Sequence, residues 1–494
     1  MRFGDFIDRC IEPFAPLTAL RRTQQRKALE LAREFAAAGS SRRTKGWKRT
    51  GGAPNREIRA GLTKLRGASS DLIRNNKYAA TMKRKIVAWM IGDGITVQLN
   101  HPDAEFQKQA QDMLDAHFKT RLDGFSDMYG LQKLAVLSTF ERGDSILVWS
   151  SRGRQPNSRC QVFEGDLIDQ GKNEDTASGG KIVMGKEFDR DGDPVALWLF
   201  DEHPGDGGWK GKSKRYDIAD IDHVFEQTYA GQARGVPWLG TVALDLKDEA
   251  DLEETIGIKK KIEACLALIL RPGANSTATP FDTLEKPERG GPPIDSVRPG
   301  MIYRTEPGDE ATTLAPSSTG DGVEFMKFKL AGIAAGFMPY FMLTGDMSQS
   351  SYISLRAALN DFYKQLDDWQ QNMCIPQFVA PAADRALKLF WLKTGDKRFL
   401  ELTKNYGVPR RPALDPISDI QGEREEIRTG FKTQTRSLAE RGLTFEQWLD
   451  ERVRELNALD AVGLVVDSDP RKVTNAGMLQ QPQGYILPKN TPQN

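Results

Sequence analysis

Histidine and cysteine are both scarce, with four of each among 494 residues. So few imidazoles weigh against histidine-based catalysis and against a His-rich metal centre. The cysteines, Cys10, Cys160, Cys265 and Cys374, lie far apart and make no CxxC pair. Zinc modules need closely spaced ligand pairs, so that class is disfavoured. Isolated cysteines suit a reducing compartment, where they serve as small buried apolar residues. Long apolar runs are absent too. The best, CLALIL at 265–270, is far too short to span a bilayer. MRFGDFIDRC at the N-terminus lacks the uncharged apolar stretch of a secretory signal. The expectation is a soluble intracellular chain with no membrane partner.

Catalytic motifs are missing in the same way. GDGGWKGKSK (205–214) contains GKS, but Asp206 stands where a phosphate loop requires its first glycine. It reads as a polar loop. DRDGDP (189–194) opens like a calcium loop with Asp189, Asp191 and Asp193. Pro194 and Phe200 then occupy the positions that need Gly and Glu. A hairpin turn between strands accounts for it better and leaves cation binding open. GDS (143–145) is not the GxSxG elbow. Asp367 and Asp368 are adjacent on a predicted helix, so their side chains diverge. No active site, cofactor or metal centre is expected.

What is present is enough apolar residue to form a core and a lopsided charge. Apolar residues make up 39% and charged residues 28%, which suits two to four compact regions with solvated surfaces. Residues 1–85 hold 21 Lys and Arg against 7 Asp and Glu, whereas 86–494 hold 48 against 61. A basic arm on an acidic body suits contact with nucleic acid or an acidic protein surface. It suits equally a solvated arm kept soluble by its charges. Apolar spacing predicts helices at 17–38, 56–74, 76–92, 103–119 and 128–141, with Tyr78, Met82, Ile86 and Met90 near one face of the third. Strands follow at 145–151, 159–164, 181–189 and 194–200, rich in Val, Ile, Trp and Phe. The fold class is α+β, mainly helical.

The middle of the chain is more informative. PWLGTVALDLKDEADLEETIGIKKKIEACLALIL (237–270) predicts one helix of roughly 50 Å. Asp245, Asp248, Glu249, Asp251, Glu253 and Glu254 precede Lys259, Lys260 and Lys261, an order that complements the helix dipole. Residues 271–322 are rich in Pro, Gly, Ser and Thr, with one strand-like piece at 300–305, and helix resumes at 323–338. A loop that long marks a separate functional lobe. TGDMSQSSYISLRAAL (344–359) then sets small polar residues between two helices, where a plain connector needs only a few residues. Further helices are predicted at 352–373, 382–394, 417–429, 434–441 and 444–459, before a polar, Pro-containing tail.

The order of four stretches resembles the lambda-type family of tailed-bacteriophage portal proteins. They are SSDLIRNNKYAATMKRKIVAWMIGDGI (69–95), FERGDSILVW (140–149), HVFEQTYAGQARGVPWLGTVA (223–243) and FMKFKLAGIAAGFMPYFMLTGDMSQSSYISLRAAL (325–359). Each is soft alone; together and in order they are specific, and they cover roughly 70–460. Phe337-Met338-Pro339 replaces the family's usual Gly–Val–Pro, and Tyr352-Ile353-Ser354 its frequent Tyr–Ser–Ser. Local loop shape is therefore expected to differ.

The resemblance implies a portal fold with wing, two-helix stem, clip and helical crown. It implies a homododecamer ring at one capsid vertex of the virion, assembled in the host cytoplasm. Double-stranded DNA would pass through its axis, independent of sequence, during packaging and ejection. The implied partners are the terminase large subunit, a head–tail adaptor and the major capsid or scaffolding protein. Enzymatic activity is not implied. On this chain, 1–55 would be a basic arm and 56–236 the wing. The stem would be 237–270 and 323–338, around a clip at 271–322. A channel loop at 339–352, wing return helices at 353–414, a crown at 415–470 and a disordered tail at 471–494 would follow. The residues lining the channel would be Gly345, Asp346, Met347, Ser348, Gln349, Ser350 and Ser351, with Tyr352 anchoring the loop's base. Lys259, Lys260, Lys261, Asp248 and Asp251 would lie at the stem interface, the acidic half near 245–254 facing basic groups of the next copy. Two rivals fit less of the chain. A nuclease or helicase needs a carboxylate cluster or a phosphate loop. The other is a different ring-shaped head–tail connector or a major capsid component, and capsid proteins lack the paired stem helices around a clip.

Overall fold

The computed structural model describes residues 51–152, 155–206, 211–265, 320–348, 350–412, 415–441 and 445–466, with short pieces at 269–270, 303–304, 443, 469 and 471–472. They lie almost wholly in one compact unit, Pro54–Asn494. The helix expected at 17–38, most of the excursion at 271–322 and the tail lie outside the described residues.

Helices form where apolar spacing and caps agree. α1 (Pro54–Asn75) is followed by α2 (Lys77–Ile91), which buries Met82, Ile86 and Met90 completely. The Asn76 side chain starts α2 by accepting hydrogen bonds from the amides of Tyr78 and Ala79. α3 (Ala104–Phe118) and α4 (Met128–Arg142) are capped in the same way by Asp103 and Asp127. Gly143, at φ +91°, ends α4 against the backbone of Val236; a Cβ there would stand 2.5 Å from the Val236 carbonyl carbon. Only glycine fits both demands.

The chain turns at Gly143 directly into β2 (Asp144–Arg152), the middle strand of an antiparallel sheet between β3 (Gln155–Glu164) and β9 (Ile221–Phe225). Between β3 and β9 lies an antiparallel five-stranded meander: β4 (Glu174–Asp175), β5 (Lys181–Val183), β6 (Lys186–Phe188), β7 (Pro194–Phe200) and β8 (Ser213–Asp217). The strand expected at 181–189 is thus a hairpin, β5–β6, turning at Met184 and Gly185, both with positive φ. β1 (Thr96–Asn100) pairs antiparallel with the distant β12 (Thr403–Gly407).

The helix expected over 237–270 is shorter. Trp238–Thr241 forms a 3₁₀ turn after Pro237, and α5 runs Ala243–Cys265, 23 residues or about 34 Å. Ile269–Leu270 (β10) then pairs in parallel with Tyr303–Arg304 (β11), the strand-like piece of the excursion. α6 (Gly320–Ala334) returns beside α5, and the short α7 (Tyr340–Thr344) follows. α8 (Tyr352–Trp369) does not stop before Pro376. It continues as a π-helical segment, Gln370–Val379, into α9 (Ala380–Thr394). The wider turn accommodates a residue that lacks an N–H and would clash inside an α-helix. α10 (Pro416–Thr429), α11 (Gln434–Ala439) and α12 (Phe445–Val462) complete the described chain.

The main core joins α2, α3 and α4 to α8, the π-helical segment and α9. The rings of Trp238 and Trp369 stack at 4.5 Å, and Phe140 meets Trp238 at 5.4 Å, so the entry to α5 is fixed to the core. Cys160 and Cys374 are buried, as a structural role requires, and burial pushes both thiols up.

A second centre is ionic. Asp144 is fully buried at the start of β2. Its carboxylate accepts from Arg66 of α1 at 2.6 Å, from Arg234 at 2.6 Å, and contacts the ring of His223 in β9 at 3.2 Å. Arg66 also donates to the Arg142 carbonyl (2.8 Å), and Arg234 to the carbonyls of Gly165 (2.6 Å) and Met184 (3.3 Å). Burial alone would raise the Asp144 carboxyl. The guanidiniums of Arg234 and Arg66, with His223, outweigh it and hold the group well below the usual carboxylate range. A Cβ on Gly165 would sit 1.5 Å from the same carboxylate.

Asp144→Asn should destabilise the fold by about 3–5 kcal/mol, because it leaves two guanidiniums buried without their counter-charge. Chemical denaturation measures this; a loss below about 1 kcal/mol would contradict the keystone role. The pH dependence follows from His223. Burial pushes its pKa down to about 4, against the opposing hydrogen bond to Asp144. The unfolded chain protonates this ring near 6.5. Stability should therefore be intact above about 6.5 and fall, by up to about 3 kcal/mol, as pH drops towards 4. His223→Gln should flatten unfolding midpoints across that window; parallel curves would contradict the assignment.

Candidate functional site

The polar loop at 345–351 is built between two helix ends. α7 closes at Gly345, in the left-handed region at φ +78°, whose amide donates to the Phe341 carbonyl at 2.8 Å. Asp346 turns the chain next. Its carboxylate accepts from the Ser348 amide (3.0 Å) and pairs with Lys327 of α6 at 2.9 Å. Those hydrogen bonds, with Ser348 first and Lys327 second, hold it well below the usual carboxylate range. Met347, Ser348 and Ser350 are exposed, and the Ser350 amide closes a turn on the Met347 carbonyl at 3.0 Å. Gln349 lies outside the described residues.

The far end is fixed by a capping box. Ser351 accepts from the Ser354 amide at 3.2 Å, and its own amide donates to the Ser354 hydroxyl at 2.9 Å. Tyr352 begins α8 but is half exposed, as is Ile353 more fully. The loop is held at Asp346 and Ser351. Its displayed surface is small, neutral and polar, with one methionine. The short helix α7 stands between α6 and the loop, where sequence spacing suggested a direct step from the longer helix.

The helix pair beneath the loop is tied to the body within one chain. Lys329 of α6 lies 3.4 Å from Asp245 of α5, Lys77 pairs with Glu253, and the Asn76 amide donates to the Leu246 carbonyl at 3.2 Å. Asp245 and Glu253 thus make ion pairs within the subunit. Asp248 and Asp251 stay exposed, as do Lys260 and Lys261, with Lys259 half buried. Glu249 is fully buried on α5, and its carboxylate oxygens have no hydrogen-bond partner. Burial, then Glu253, raise its pKa against Lys77 and Lys329. α6 exposes Val323, Phe325 and Phe328. Further along, Gly332 and Gly336 have open space where a Cβ would stand.

Two groupings of metal-ligand type occur among the described residues, and in the first Asp166 Oδ2 and His203 Nε2 have no hydrogen-bond partner. Glu164, Asp166 and His203 converge, but the Arg142 guanidinium lies 3.0 Å from Glu164 and 3.4 Å from Asp166. At 189–193 the Asp189 carboxylate accepts the amides of Asp191 and Asp193, both at 2.9 Å, closing a turn between β6 and β7. The ionic cluster at Asp144 was not foreseen as a site. Two of the four stretches singled out in the sequence meet there, one carrying Asp144 and the other His223 and Arg234. No helix among the described residues is long and apolar enough to cross a membrane.

Comparison with known proteins covers the same part of the chain. The family described as phage portal protein, lambda family, matches residues 40–370. A probable portal protein of Halomonas phage phiHAP-1 is 25% identical over 455 residues, covering 84% of this chain and 84% of that protein. Among solved structures, a chain from the virion of a native gene transfer agent particle aligns with a TM-score of 0.38 at 14% identity, over 83% of this chain and 98% of its own. A chain from the neck of a native gene transfer agent particle, computed with C12 symmetry, aligns at 0.40 and 14%, over 80% and 95%. With the family match spanning most of its length, the chain belongs to the lambda family of phage portal proteins.

Proposed function

We propose that this portal protein assembles as a dodecameric ring at one capsid vertex of the virion and conducts double-stranded DNA through its axis during packaging and ejection. In this reading residues 56–236 and 353–414 form the wing, and α5 and α6 the stem. Residues 271–322 form the clip, and 415–470 the crown. Terminase and then a head–tail adaptor dock on the clip, since the sequence offers no phosphate loop of its own.

The observation that carries the reading is the loop at 345–351. It is pinned at both ends, yet it displays neutral polar groups and an adaptable methionine. The cation that contacts it, Lys327, is neutralised by Asp346. Every phosphate neutralised by protein adds affinity, and hence friction. A sliding channel needs weak contacts without sequence preference, and hydroxyls and amides supply them. The exposed Phe325 and Phe328, with open Gly332 and Gly336, suit close packing of α6 against the next copy. Asp248, Asp251, Lys259, Lys260 and Lys261 lie on α5, where they would set the register of that contact.

Replacing Ser348, Gln349 and Ser350 with Glu spares the Ser351 cap. Rings should sediment normally while packaged DNA falls several-fold, because added negative charge repels the duplex. Full genomes at wild-type yield would place the loop away from the DNA path. Separately, Lys259→Glu with Lys260→Glu and Lys261→Glu should make the ring dissociate more readily and depend on ionic strength. Unchanged sedimentation across salt would remove these lysines from the subunit contact.

A further inference from the structure

The ion pair between Lys327 and Asp346 joins the middle of α6 to the second residue of the loop, at 2.9 Å. Both side chains reach water, Lys327 being 44% and Asp346 29% exposed. Pairs of this kind contribute little in water and open readily. The two partners are not equally constrained. Asp346 is also held by the Ser348 amide, and its own amide donates to the Thr344 hydroxyl at 3.2 Å. Lys327 ends a flexible stem, and Asp346 is its one ion-pair partner among the described residues. When the pair opens, it is the ammonium that moves.

We propose that Lys327 is a masked phosphate-binding residue. Asp346 occupies its ammonium in the absence of DNA, and a backbone phosphate of the passing duplex takes the carboxylate's place. This rests on the reading that the loop faces DNA. The exchange replaces one singly charged oxyanion with another, so no ammonium is left unpaired at either end of the swap. The ammonium is a compact charge with rotatable donors and needs no fixed fork geometry, which suits a partner that slides past. Release of Asp346 also frees the loop from α6, while Ser351 keeps its far end on α8. The freed carboxylate repels the phosphate that displaced it and competes to recover the lysine. The contact is therefore short-lived, and the protein can touch each phosphate without retaining it.

The test uses the assembled full-length protein and a short linear duplex. Retention is measured across a salt series for wild type, Asp346→Asn, Lys327→Met and the double variant. A photo-crosslinker at Met347 is included in parallel. Asp346→Asn should bind DNA more tightly, with a log–log salt slope steeper by about 0.9 for each phosphate newly neutralised. That gain should vanish in the double variant. Lys327→Met alone should flatten the slope below wild type, which keeps the test decisive should the Asn variant fail to assemble. Wild-type affinity and slope in both single variants, with position 347 still crosslinking to DNA, would overturn the masked lysine and leave the channel-loop reading intact. A gain that persists without Lys327 would overturn it as well. Absence of crosslinking at 347 would overturn the channel-loop reading itself.

Discussion

One buried carboxylate sets the arrangement of the body. Asp144 stands where α4 ends and the central strand begins, and it gathers Arg66, Arg234 and His223 from three other places in the chain. The arginines then reach on to the carbonyls of Arg142, Gly165 and Met184. α1, α4, the three-stranded sheet and the five-stranded meander are thereby tied at one point. Removing Asp144 or one of its arginines leaves buried charge short of its counter-charge, which disfavours other geometries. Gly143 and Gly165 enforce it sterically, since a side chain at either would collide with backbone or with the carboxylate.

Arg234 transmits that geometry to the helix pair. It lies a few residues before Trp238, which stacks on Trp369 and fixes the start of α5. α6 returns alongside α5 and hands the chain through α7 to the polar loop. The loop can thus be narrow and neutral while its base is rigid. Its restraints are capping hydrogen bonds and one exposed ion pair, contacts that hold position without burying the displayed residues.

Much of this was legible because it is local. The spacing of Met82, Ile86 and Met90 marks α2, whereas the caps at Asn76, Asp103 and Asp127 were not singled out. The start of α8 at Tyr352 was expected from apolar spacing. What was missed depends on distance or on backbone adjustment. Asp144 meets its arginines across 78 and 90 residues, with no periodicity to announce them. β1 finds β12 more than 300 residues away, and five residues of TVQLN are too short to signal a strand alone. Pro376 reads as a helix break, yet a π-helical turn carries the helix through it. Pro237 and Gly240 could have announced the 3₁₀ turn that shortens α5. Lys327 and Asp346 are unremarkable letters until α6 and the loop are side by side.

The central claim is that these elements surround an axial passage, narrowest at the polar loop. Rotationally averaged electron images of the purified assembled protein test it most directly, with a heavy-atom label on a cysteine introduced at Met347. The account predicts a closed ring with an open axis and the label at the smallest radius. A ring with the label at its outer rim, or particles with no axial opening, would contradict it.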